Sequence, residues 1–258
     1  MGLNRPFLIR YSSWLRQLVQ GNLGLSYQDN LPVADKLAAG LRYTLPLAAG
    51  SLLLSVIVSI PLAVITAVYR NTVFHSLTKL LCAIGNAIPN FLVSVLLLYV
   101  LGIKLKLFPI IANESVNGLI LPILALSLPL TSRFLIQFQA EILDQLDKEY
   151  VIGIQMRGVT ACRVLFSNIL HNSLPSILTI IGLSVGTLMG GSVVIETIFM
   201  WPGLGKLVMD SITARDDPVI LGFVLIMTVI YVIINLLTIT CSSRFSKRTH
   251  TACCCSSL

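Results

Sequence analysis

The chain has 258 residues, of which 55% are hydrophobic and only 11% are charged, and its mean hydropathy is +0.88. Soluble domains carry about 25% charged residues, so this composition excludes an ordinary water-soluble fold and describes a chain solvated largely by lipid. The net charge of +7 comes from Lys and Arg dispersed among polar gaps, which argues against a nucleic-acid surface and fits the charge that orients membrane proteins.

In chain order, residues 1–43 form an extracytoplasmic or interfacial N-terminal segment that differs from the rest. Pro6 to Gln20 reads as an amphipathic helix, with Phe7, Leu8, Tyr11, Trp14, Leu15 and Leu18 interrupted by Arg10 and Arg16. Such a helix suits the membrane interface, and it lacks the apolar core and cleavage site of a signal peptide. A turn-rich connection, GNLGLS, precedes the first apolar span. Five stretches then meet the requirement of about 20 mainly apolar residues for crossing a bilayer. They run over about 44–68, 77–103, 119–138, 174–198 and 218–241. Backbone satisfaction in lipid makes each a helix, with kinks expected at Pro61, Pro89, Pro122 and Pro129. The predicted fold is an all-α, polytopic transmembrane helix bundle over residues 44–241, with a tail at 242–258.

Loop charges set the orientation. One side holds Arg70 and Lys79, then Arg133, Lys148, Arg157 and Arg163, then Arg244, Lys247 and Arg248; the other holds Lys104, Lys106, Lys206 and Arg215. The positive-inside rule places the first set in the cytoplasm, and only the basic N-terminal segment runs against it. The six cysteines show neither a disulfide framework nor zinc spacing, and Cys253, Cys254 and Cys255 belong to a tail expected to be unstructured.

Between the third and fourth spans lies a long polar segment, about 139–173, whose core EYVIGIQMRGVTACRVLFSNILHNSLP is helical in character. A helix from about Leu143 to Met156, a turn at Gly158 and a second helix toward Ile169 predict a cytoplasmic helix–turn–helix. Connections in compact domains run to about 4–6 residues, so a charged stretch of this length points to docking on a soluble partner.

The segment resembles the EAA loop of the inner-membrane permease subunits of binding-protein-dependent ABC importers, in their dipeptide, oligopeptide and nickel branch. The resemblance extends along the chain. It includes Gly21…Leu23-Gly24-Leu25-Ser26 near the start and Ala87-Ile88-Pro89-Asn90-Phe91 in the second span. Glu149-Tyr150-Val151…Arg157-Gly158 matches the coupling loop, and Val194-Ile195-Glu196-Thr197-Ile198-Phe199…Trp201-Pro202-Gly203-Leu204-Gly205 matches an external turn. Three features depart from that family. Its first span is not found ahead of the N-terminal segment, Ile152-Gly153-Ile154 stands where broader relatives have Glu-Ala-Ala, and the tail lacks the usual Asp-Pro-Arg ending.

The resemblance implies a type I ABC importer permease in the bacterial inner membrane, surrounded by lipid. Its expected partners are cytoplasmic ABC ATPase subunits, a second permease subunit of the same or a sibling chain, and an extracytoplasmic solute-binding protein; no nucleic acid is expected. Glu149, Tyr150, Val151, Gly153, Arg157, Gly158 and Arg163 would form the ATPase-coupling loop, and Trp201, Pro202 and Gly203 would receive the binding protein or anchor the interface. Asn86, Pro89 and Asn90 would line the translocation path, although polar contact between helices serves the two asparagines equally well. Glu196 fits either a gate beside that path or an interfacial carboxylate that snorkels or caps a helix. His75 and His171 read as solvated loop residues, and no metal site or catalytic residue is expected. No G-x-x-x-x-G-K-[ST] sequence occurs, so the chain itself would bind no ATP or Mg, which belong on partner subunits. Nickel and small peptides are the expected cargoes. The alternative of a secondary carrier or channel would need ionisable residues deep in the spans, and a membrane-embedded enzyme would need a catalytic constellation there.

Overall fold

The computed structural model describes residues 6–109, 116–160 and 163–255. Nine α-helices follow one another among the described residues. They are α1 (Phe7–Val19), α2 (Val33–Val68), α3 (Val73–Ala87), α4 (Asn90–Leu97), α5 (Val116–Leu146), α6 (Glu149–Met156), α7 (Leu170–Ile198), α8 (Leu204–Ala214) and α9 (Asp217–Cys255). Wider π-helical turns extend α4 through Leu98–Lys104 and lead into α7 through Val164–Ile169.

Four helices are long and apolar enough to cross a bilayer, and the joined pair α3–α4 makes a fifth crossing that is bent by 96°. The span predicted at 77–103 with a kink at Pro89 is therefore broken outright, and its sequence explains why. Pro89 has no N–H to continue the ladder and forces the residue before it out of the helical region. Ile88 accordingly takes φ −80° and ψ 123°.

The first span also departs from expectation, because α2 starts at Val33 and a domain border at 43/44 would cut through it. Asp35, Lys36 and Arg42 mask this stretch in a hydropathy reading. Yet Val33, Leu37, Gly40, Thr44 and Leu47 form one buried stripe at helical spacing. Val33 and Leu37 pack with Leu204 of α8 and Val219 of α9.

Helix α5 occupies the centre. Phe134 and Phe138, both fully buried, stack with ring centroids 5.1 Å apart. The Ser55 hydroxyl donates to the Ser127 carbonyl at 3.1 Å, tying α2 to α5. Farther along, His75 Nδ1 lies 3.2 Å from the Thr66 carbonyl and 2.9 Å from the Gln139 amide. These levels show that α2 and α5 run in the same direction, with α3–α4 returning between them. The bundle thus has two ends, one carrying Trp201 and the other carrying Gly158.

On α7, a Cβ on Gly182 would strike Thr238 and one on Gly186 would strike Tyr231 of α9. These glycines permit close helix contact, as small residues do in membranes. The tail is not the unstructured ending expected, since α9 continues as helix to Cys255.

Candidate functional site

At the Trp201 end, α8 begins with Gly203 as its N-cap, a residue with no side chain to satisfy the first amides. Two distant residues satisfy them instead. Glu196 Oε2 accepts from the N–H groups of Gly205 at 2.6 Å and Lys206 at 3.3 Å. Thr44 Oγ1 accepts from the Leu204 N–H at 2.8 Å and donates to Glu196 Oε1 at 2.9 Å. Glu196 is fully buried, and a carboxylate at a helix N-terminus is favoured by both hydrogen bonding and the helix dipole. Of the two roles the sequence allows for Glu196, its position is that of a helix cap. Gly203 and Gly205 are required by the same contacts. A Cβ on Gly203 would meet the Glu196 carboxylate and Thr44, and one on Gly205 would run into the Val193 backbone.

Trp201 is buried, its indole N–H donates to the Tyr43 carbonyl at 3.0 Å, and its ring meets Tyr43 edge-on at 5.8 Å. Trp201 and Gly203 therefore face inward, and of the three residues Trp201, Pro202 and Gly203 only Pro202 is exposed. The reason is the early start of α2, which brings Tyr43 and Thr44 under the turn. A second clamp lies beside it. Buried Asp216 accepts from the Ser26 hydroxyl and from the Tyr27 N–H at 3.0 Å. Lys36 pairs with Asp29 at 2.7 Å, and this bond holds the Asp29 carboxyl down at about 2. Thr44 was not singled out from sequence, where the available signal was its place on the Val33–Leu47 stripe; Ser26 stands in the Leu23–Ser26 motif, which carried no contact role.

The Gly158 end is held differently. Helix α5 stops at Leu146 and α6 begins at Glu149, so the predicted single helix from Leu143 to Met156 is two. Val151 is buried, and the Tyr150 hydroxyl donates to Gln145 at 3.1 Å. Around these anchors, Glu149, Gly153, Arg157 and Arg163 are exposed, as are Ile152 and Met156, the latter by 82%. Gly158 turns the chain with φ +79°, a left-handed conformation that costs other residues. The return helix is not a separate unit. Its π-helical turns run without a break into α7, and Pro175 lies inside that helix. Salt bridges here are superficial, Arg70–Asp147 at 2.9 Å and Lys148–Asp144 at 3.3 Å.

Between the ends, Asn86 and Pro89 are exposed at the α3–α4 break. Asn90, half-buried, reaches across to α7, where its amide lies 3.1 Å from the space a Cβ on Gly191 would take. Asn86 does not share this contact. Leu183, Thr187, Gly190 and Val194 form an exposed stripe along α7, and a groove of about 580 Å³ separates α7 from Phe223, Met227 and Tyr231 of α9. Arg133 is not in a loop but near the middle of α5. His75 lies on α3, half-buried beside Thr66 and Gln139, whereas His171, in the first turn of α7, is exposed.

Residues 59–251 match the model of the family described as "Binding-protein-dependent transport system inner membrane component". A putative peptide permease protein of Brucella suis biovar 1 is 32% identical over 249 residues, covering 92% of this chain and 78% of the relative. A glutathione transport system permease protein of Escherichia coli K12, GsiC, is 33% identical over 236 residues, covering 92% and 77%. Among solved structures, the MetNI methionine ABC transporter in an inward-facing conformation superposes with a TM-score of 0.64 at 16% identity, covering 83% of this chain and 95% of that one. That likeness concerns the fold.

Proposed function

Because this chain belongs to the family of binding-protein-dependent transport system inner membrane components, we propose that it serves as one permease subunit of an ATP-driven importer for short peptides. It is a multi-pass inner-membrane permease of the ABC importer type. The cargo follows from its relatives, whose names cite peptides and glutathione.

The observation that carries the coupling proposal is the unequal attachment of the Gly158 segment. Val151 and Tyr150 hold α6 to the bundle, while Ile152, Met156 and Arg157 form an apolar and basic face that the rest of the chain leaves uncovered. An exposed apolar patch with a charged rim is suited to a protein partner. We assign it to the cytoplasmic ATPase subunits, with Glu149, Gly153, Gly158 and Arg163 completing the docking loop. ATP binding and hydrolysis take place on those subunits. Their closure would displace α6 and the Gly158 turn, and the unbroken helix from Val164 to Ile198 would carry that displacement into the bundle as a rigid body. A second permease subunit completes the pathway, and a solute-binding protein delivers cargo at the Trp201 end, where Pro202 is exposed.

Reconstitution in proteoliposomes with the ATPase, partner permease and binding protein tests this reading. ATP-dependent uptake of a labelled dipeptide, with nickel as the control, is the expected result. Uptake that persists without ATPase subunits would instead make the chain a secondary carrier.

A further inference from the structure

Arg133 stands out as a charge without a counter-charge. It sits near the middle of a membrane-crossing helix, yet among the described residues it makes no ion pair or hydrogen bond. Charged residues in spans are rare and face a protein interior or a watered cavity. Arg133 lines a small cleft with Asn90 of α4 and Thr187 of α7. Helical side chains lean toward their own N-terminus, which directs the Arg133 stem along this cleft toward Leu126 and the Trp201 end, away from the Gly158 end.

The two companions share its condition. Ser184, Ser192 and Thr197 on α7 each donate to a backbone carbonyl one turn back, but Thr187 has no such bond among the described residues. The Asn90 side chain likewise has no partner there, and glycine at 191 leaves room for it. Three uncommitted donors from three helices thus converge beside the exposed stripe of α7.

We propose that Arg133, Asn90 and Thr187 form a carboxylate-recognising subsite on the transport path, engaging the free C-terminal carboxylate of a peptide in transit. A guanidinium binds a carboxylate through two parallel hydrogen bonds, and the amide and hydroxyl supply further donors. The inference rests on the permease reading above for its cargo.

Two measurements separate the subsite from that reading. In the complete reconstituted transporter, uptake of a labelled dipeptide is compared with uptake of its C-terminal amide. Arg133→Gln is expected to lower uptake of the acid at limiting concentration by tenfold or more, mainly through KM, bringing the acid-to-amide ratio close to one. Arg133→Lys should restore part of the preference. Equal loss for both peptides, or no loss for either, would overturn the proposal by assigning Arg133 to packing, a partner's acid or a lipid phosphate. The second measurement needs no cargo. In the full complex, Asn90→Cys should react faster with an anionic methanethiosulfonate than with a cationic one, scored against the wild-type cysteine background, and Arg133→Gln should abolish that difference. If the wild type transports neither peptide, the cargo reading fails and this labelling decides the subsite alone. A cysteine at 90 that reacts with neither reagent, or with no charge preference, would overturn it.

Discussion

The two ends of this bundle are built on opposite principles. At the Trp201 end the connecting turns are tied inward by buried polar contacts, although Met200 and Pro202 stay exposed. Glu196 and Thr44 cap α8 from two other helices, Trp201 is bonded to Tyr43, and Asp216 grips the Ser26–Tyr27 turn. At the Gly158 end the connecting segment has few anchors, superficial ion pairs and exposed apolar side chains. The first end resists deformation, and the second is available to be held and moved by something else. If the proposed coupling holds, this is the division of labour required of a machine driven from one side of the membrane. The Gly158 end would then offer a handle, and the Trp201 end would keep the helices in register.

The contrast can be broken from its stiff side first. Trp201→Ala should cost about 3–5 kcal/mol, the range for removing a large buried aromatic, and thermal unfolding in detergent would register it. Glu196→Ala comes next, at about 2–3 kcal/mol, because it strips acceptors from the buried Gly205 amide, the part-buried Lys206 amide and the Thr44 hydroxyl. Glu196→Gln keeps an acceptor and should cost roughly half as much. At the other end, Gly158→Ala should cost about 1 kcal/mol from its left-handed backbone. Met156→Ser should shift stability by less than about 0.5 kcal/mol while sharply reducing ATP-driven uptake. If Met156→Ser instead unfolded the protein as Trp201→Ala does, the two ends would not differ as described.

The smallest expected effect sharpens the picture of the stiff end. The Lys36 ammonium holds the Asp29 carboxyl at about 2, below its ordinary 3.8. A depressed carboxylate contributes stability at neutral pH that fades as pH falls from about 4 through about 2. The melting difference between the wild type and Asp29→Asn should therefore shrink over that interval. A difference that grew on acidification would contradict the pair.

Much of the bundle was legible from sequence because lipid imposes a simple rule on long apolar runs, and four of the five spans follow it. What stayed hidden depends on contacts between distant segments. Asp35, Lys36 and Arg42 concealed the first turns of α2, whose partners Leu204 and Val219 lie far along the chain. Pro89 was expected to kink a helix, but its combination with an extended Ile88 produces a break of 96°. By sequence Trp201 reads as part of a binding-protein docking turn or an interfacial anchor; only the position of Tyr43 shows that its ring faces inward. Arg133 was counted with loop charges, and its place among Asn90 and Thr187 appears only when three helices are brought together.

Site-directed cross-linking tests most directly which end is driven. Met156→Cys and Pro202→Cys would be compared in membranes containing the complete transporter, each scored against the wild-type cysteine background. The account predicts an adduct between position 156 and the ATPase subunit, with none to that subunit from position 202. No ATPase adduct from position 156, or an equal one from position 202, would contradict it.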